Sequence, residues 1–188
     1  MYNNPTHSGW LRALGAGALF CTWGMVACGG GGTDPTGKLG DPEENMLLRG
    51  ITAGHNSARS AVKPAPTAPM PSLSWSTTIA ATAQAWADKC QFKHSNSNYG
   101  ENIFASSNAS SPSAVVADWV SEAADYTYST NSCAGVCGHY TQVVWAKSLN
   151  LGCGVANCTT GSPFGTPSWQ LWVCNYDPPG NYIGEKPY

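Results

Sequence analysis

Two histidines and two glutamates are the residues of this chain whose types could do chemistry together. His94 and Glu101 sit in HSNSNYGENI, Glu122 in WVSEAADY and His139 in CGHYTQVVW. Imidazole nitrogens and carboxylate oxygens are ligands that zinc accepts, so the four read as a set for Zn2+ or another divalent cation. The same residues admit other chemistry. Glu101 and Glu122 can be the two carboxylates of glycoside hydrolysis, or a metal-bound water can hydrolyse a peptide or ester. Cys137 stands two residues before His139 and is a candidate thiol nucleophile. In a cysteine-rich exported chain it is expected in a disulfide instead. A fourth reading has each glutamate hydrogen-bonding a histidine with no metal at all. The signatures HExxH, GxSxG and the P-loop are missing. Of the other histidines, His55 in HNSAR reads as a structural residue with satisfied nitrogens, and His7 falls in the N-terminal segment.

The elements that must position these residues change period along the chain. EENMLLRGITAGHNSARSAV has Met46, Leu47, Ile51 and Ala58 at helical spacing after two acidic residues. KPAPTAPMP ends that helix, because repeated prolines cannot continue it. In LSWSTTIAATAQAWADKC, Ile79, Ala83, Trp86 and Ala87 mark one helical face. The stretch 91–111 is turn-rich. Ser111 and Pro112 form an N-cap and first helical residue, opening a helix over SAVVADWVSEAADYTY that points Val115, Trp119, Val120 and Ala123 inward. HYTQVVWA, NLGCGVANC and WQLWVCNYD then read as strands. In the first of these, His139, Thr141, Val143 and Trp145 would share one face, leaving Tyr140 and Gln142 to find hydrogen-bond partners in the interior. TTGSPFGTPS, between the last two strands, reads as an extended hairpin loop. Helices first and strands last predict an α+β domain with a small antiparallel sheet.

Composition narrows the function classes. Charged residues make up 11% of the chain and the net charge is -2, which leaves no basic footprint for nucleic acid. Eight cysteines exceed what a reducing cytoplasm favours. Cys21 and Cys28 lie in the N-terminal segment; the other six, Cys90, Cys133, Cys137, Cys153, Cys158 and Cys174, allow 15 pairings on spacing alone. Arg12 precedes the apolar run LGAGALFCTWGMVA, which is short for a membrane span and reads as a signal segment over 1–27. It ends in MVAC, similar to a bacterial lipobox with Cys28 as the lipidated residue. The Gly/Pro-rich stretch that follows, over 28–45, reads as a tether that would hold a domain spanning 46–188 clear of a membrane. The location expected is extracellular or at the cell surface, as a bacterial lipoprotein.

HSNSNYGENI, WVSEAADY, CGHYTQVVW and CNYDPPGNYIGEKPY occur in this order, and together they resemble the CAP superfamily (SCP domain) of cysteine-rich secretory proteins, venom antigens and plant pathogenesis-related proteins. The plant members are the most similar. The resemblance implies a three-layer α-β-α sandwich and a large cleft around a tetrad of His94, Glu101, Glu122 and His139. It implies the disulfides Cys90–Cys158, Cys133–Cys137 and Cys153–Cys174. It also implies a largely non-enzymatic binding protein for a small hydrophobic ligand, a sterol or lipid, or for a divalent metal. A metal- or carboxylate-dependent hydrolase and a non-catalytic interaction module are the alternatives. GENI stands where GENL is commoner in the family, a conservative change.

Overall fold

The computed structural model describes residues 43–188; the expected signal segment, Cys28 and the linker up to residue 42 lie outside the described residues. Glu44 lies two residues before the expected domain boundary. It is buried, and its carboxylate accepts from the backbone N–H of Gly50 and Thr52 at the start of the first helix. That helix, α1, runs Ile51–Ser60, followed by β1 (Ser74–Trp75) and α2 (Thr77–Ala87). Next come β2 (Gly100–Ser106), α3 (Pro112–Ser121) and a 3-10 turn (Glu122–Asp125). β3 (Tyr126–Thr127), β4 (Ser132–Cys133), α4 (Gly138–Val143), β5 (Asn150–Cys158) and β6 (Trp169–Asp177) complete the chain.

The main sheet has the order β1-β5-β6-β2. It is mixed, because the two-residue β1 runs parallel to β5 while β5, β6 and β2 are antiparallel. β3 and β4 form a separate two-stranded ribbon. Alternation along β6 sends Leu171 and Val173 to one face, with Ala83 and Ala87 of α2. Trp172, Cys174 and Tyr176 go to the other face, with Val115 and Trp119 of α3 and Tyr140 and Val143 of α4. These are the three layers. Burying each such aliphatic side chain contributes roughly 1.5–3 kcal/mol. The helix α2 lies directly on β5: a Cβ at Gly152 would fall 2.1 Å from the backbone nitrogen of Ala80, and one at Gly154 2.3 Å from Cα of Gln84. Gln84 locks this contact by exchanging hydrogen bonds with both backbone groups of Val155. Disulfides join Cys90–Cys158, Cys133–Cys137 and Cys153–Cys174.

Four local expectations need correction. HYTQVVWA is not a strand: residues 138–143 form α4. Apolar alternation over so few positions does not separate the two periods, and tertiary anchoring of the helix N-terminus decides for the helix. Met46 and Leu47 are exposed, and Leu48 is the buried residue of that turn. The turn-rich stretch contains β2, whose seven residues acquire strand geometry by pairing in full register with β6. The third helix stops at Ser121, so Glu122 opens the 3-10 turn instead of lying within α3. The N-cap reading holds, since Ser111 Oγ accepts from Ala114 N with Pro112 next to it.

Candidate functional site

The four residues come together as two pairs. In the first, the loop before β2 presents His94, whose Nδ1 donates to Glu101 Oε1 at 2.8 Å. The same oxygen accepts from the backbone N–H of Ser95. Glu101 stands at the start of β2, its side chain 6% exposed against 42% for His94. In the second pair, Nδ1 of His139, in the first turn of α4, donates to Glu122 Oε1 at 2.6 Å. Glu122 Oε2 accepts from the backbone N–H of His139 and of Tyr140. Glu122 thus caps α4, whose N-cap residue Cys137 offers no side-chain bond. Trp119 stacks on the His139 ring at 6.2 Å.

A carboxylate only accepts, so in each pair the proton of the neutral ring sits on Nδ1 and the lone pair on Nε2. Neither Nε2 has a partner among the described residues. This is the orientation that second-sphere carboxylates give to metal-binding histidines. Three or more His, Cys, Asp or Glu side chains do not converge as a metal site anywhere among the described residues. The four residues stand as two histidine–glutamate dyads, each imidazole held by its own carboxylate.

Asn102, next to Glu101, ties the dyads to the core. Its Nδ2 donates to the carbonyl of His139 and to the hydroxyl of Tyr176. The Tyr176 hydroxyl meets Nε2 of His55, whose Nδ1 bonds the carbonyl of Ile51. That carbonyl only accepts, so Nδ1 donates and Nε2 accepts from Tyr176. Burial holds the His55 ring down at about 4 and pushes the Tyr176 hydroxyl well up. The sequence reading of His55 as a satisfied structural residue agrees with this chain of bonds. Asn102 and Tyr176 went unremarked as parts of the site; the signal available was their place in GENI and CNYD.

A cavity of about 430 Å³ follows His94 along the chain, lined by α2 and the 95–97 loop with Trp86 in its wall. None of the four dyad residues lines it, so the large cleft expected around the tetrad is not this cavity. Cys137 is closed in a disulfide with Cys133, which removes the thiol nucleophile.

Residues 52–176 match the family described as CAP, cysteine-rich secretory protein family. Pathogenesis-related protein 1 of Arabidopsis thaliana is 46% identical over 138 residues, covering 71% of this chain and 78% of that protein. A crystal structure of NaASP2 with Zn2+ is 28% identical, with a TM-score of 0.57 over 73% of this chain and 82% of that one. Venom allergen-like protein 4 of Schistosoma mansoni shares the fold at a TM-score of 0.58 and 24% identity, over 73% and 90% of the two chains.

Proposed function

The chain belongs to the cysteine-rich secretory protein (CAP) family, and from that membership we propose that it is an exported, non-catalytic binding protein whose His94 and His139 take up a divalent cation such as Zn2+. The observation that carries this reading is that both imidazoles spend Nδ1 on a carboxylate and keep Nε2. Glu101 and Glu122 orient the rings, and the two Nε2 atoms hold the cation. A cation there would polarise a water or a ligand oxygen. A site with few protein ligands is an open one, with exchangeable positions. The NaASP2 structure with Zn2+ supports the choice of metal. The three disulfides support export to an oxidising compartment.

Calorimetric titration of the chain with Zn2+ tests the proposal. One-to-one binding is expected for wild type and none for the His94→Ala, His139→Ala double variant. Equal heats in both would end it.

A purely structural role for the second dyad is favoured by one observation, the three hydrogen bonds that Glu122 accepts around the start of α4. On that reading zinc binds neither protein and the double variant only unfolds more easily. The sterol or lipid ligand is a separate proposal for the cavity beside Trp86, tested by displacing a fluorescent sterol and repeating with Trp86→Ala. The lipid on Cys28 is another; the intact mass of the exported chain decides it.

A further inference from the structure

Three buried polar atoms at the first dyad have no hydrogen-bond partner among the described residues: Oε2 of Glu101 and both carboxamide atoms of Asn175. The two residues are cross-strand neighbours on β2 and β6. Such side chains leave the same face of a sheet with Cβ atoms about 4.5–5.5 Å apart. By alternation this is the face of Ile103, Leu171 and Val173, the one covered by α2. On its other side Asn175 is paired with Gly152, where the backbone of α2 presses on the sheet. Asn175 is 1% exposed.

No hydrogen bond joins the two side chains. A carboxylate oxygen accepts, an amide oxygen accepts and an amide NH2 donates. A cation would satisfy the oxygens and be repelled by the NH2 group. Water, which both donates and accepts, suits all three, and buried water commonly serves polar groups of this kind. Left bare, each would lose its hydration with no bond in return.

The second dyad shows what is at stake. There Oε2 of the glutamate is fixed by two backbone N–H groups, while Oε1 holds the histidine. In the first dyad Oε1 likewise holds its histidine and Ser95 N, but no amide fixes Oε2. We propose that Glu101 Oε2 and the Asn175 carboxamide enclose buried water, and that this makes Asn175 a positioning residue for His94. The water stands in for the amides of the second dyad. It accepts from Nδ2, donates to Oε2 and fixes the plane of the carboxylate, so that Oε1 stays on the Nδ1–H of His94 and Nε2 stays free. The consequence for metal rests on the cation reading of the dyads.

The test compares the full chain with Asn175→Leu, of similar shape without polar atoms, and Asn175→Ser, smaller and with a hydroxyl that leaves room for water. Ring 15N shifts of His94 and His139 are recorded without metal, and Zn2+ affinity is measured by calorimetry. In the leucine variant His94 is expected to lose its preference for the Nδ1–H tautomer and Zn2+ to bind about tenfold more weakly, with the His139 tautomer unchanged. The serine variant is expected to keep wild-type values in both. A leucine variant with the wild-type His94 tautomer overturns the proposal. If wild type does not bind Zn2+ the cation reading fails, and the tautomer shifts still decide the role of Asn175. Should the leucine variant not fold, a high-resolution crystal structure of wild type decides: water between Glu101 and residue 175 supports the proposal, and a metal ion or a dry contact there overturns it.

Discussion

The buried cluster on α1 and the dyads at the start of β2 and α4 use the same kinds of side chain to opposite ends. His55 has both ring nitrogens bonded and is wholly buried. Arg59, one turn on, is 1% exposed and forms no ion pair among the described residues. Its guanidinium donates instead to the carbonyls of Pro71, Val143, Trp145 and Ser148. This gathers the segment before β1 and the end of α4 onto one helix. His94 and His139, by contrast, each use one nitrogen and are partly exposed. A histidine with every valence used is a fastener. One with a lone pair held in a fixed direction is equipped to receive something.

That contrast is sharpest in what substitutions do. Arg59→Ala should have the largest effect, a loss of about 3–5 kcal/mol of folding stability, because four carbonyl groups lose their donor together. Urea unfolding of the purified chain measures it. If the loss is below about 1 kcal/mol, the guanidinium is not the fastener described.

Acid should act next. The His55 ring is held at about 4 against an ordinary 6.5. Below 6.5 the unfolded chain takes up a proton that the folded chain refuses, so stability falls with pH until the ring titrates near 4, where the loss stops. At 1.36 kcal/mol for each pH step the total is about 3 kcal/mol. Unfolding curves between pH 7 and 4 should show this slope for wild type and a flatter one for His55→Gln.

The dyads should respond more mildly. Glu122→Ala removes the cap of α4 and is expected to cost about 1–2 kcal/mol, read as a lowered urea midpoint. His94→Ala should be the smallest, under about 0.5 kcal/mol, since the ring is well exposed, yet it should abolish zinc binding. If His94→Ala destabilises as much as Arg59→Ala, the comparison fails, and the first dyad is a fastener too.

How much of this was legible before the fold was known depended on length and on partners. β5 and β6 were read at their observed bounds because each presents nine residues of strand composition between clear turns. The start of α3 was read from its own serine and proline. α4 was not, since six residues ending at the first of two adjacent valines carry no decisive period, and what makes them helical is a glutamate 17 positions before His139. β2 was hidden for a similar reason: its partner is β6, and nothing within Gly100–Ser106 announces that. The site residues were legible through the spelling of the surrounding segments rather than their spacing. Their division into dyads was among the readings the sequence left open, and packing decides which carboxylate meets which ring. Arg59 passed unnoticed; a lone arginine in a helix gives no hint of the carbonyls that converge on it.

The hairpin between β5 and β6 has a consequence for how the molecule would come apart. Its loop, residues 159–168, is largely exposed, the kind of place where proteases cut. Cys153 lies before the loop and Cys174 after it, joined by a disulfide, while Cys90 and Cys158 both lie before it. A single cut in the loop therefore separates no mass from the protein. On a denaturing gel run without reductant the nicked chain migrates as one band, and it parts into two pieces only after thiol is added. Both dyads precede the loop, so they stay on the larger piece. The β6 strand that backs the first of them, Asn175 included, is on the other and is held there by one sulfur–sulfur bond.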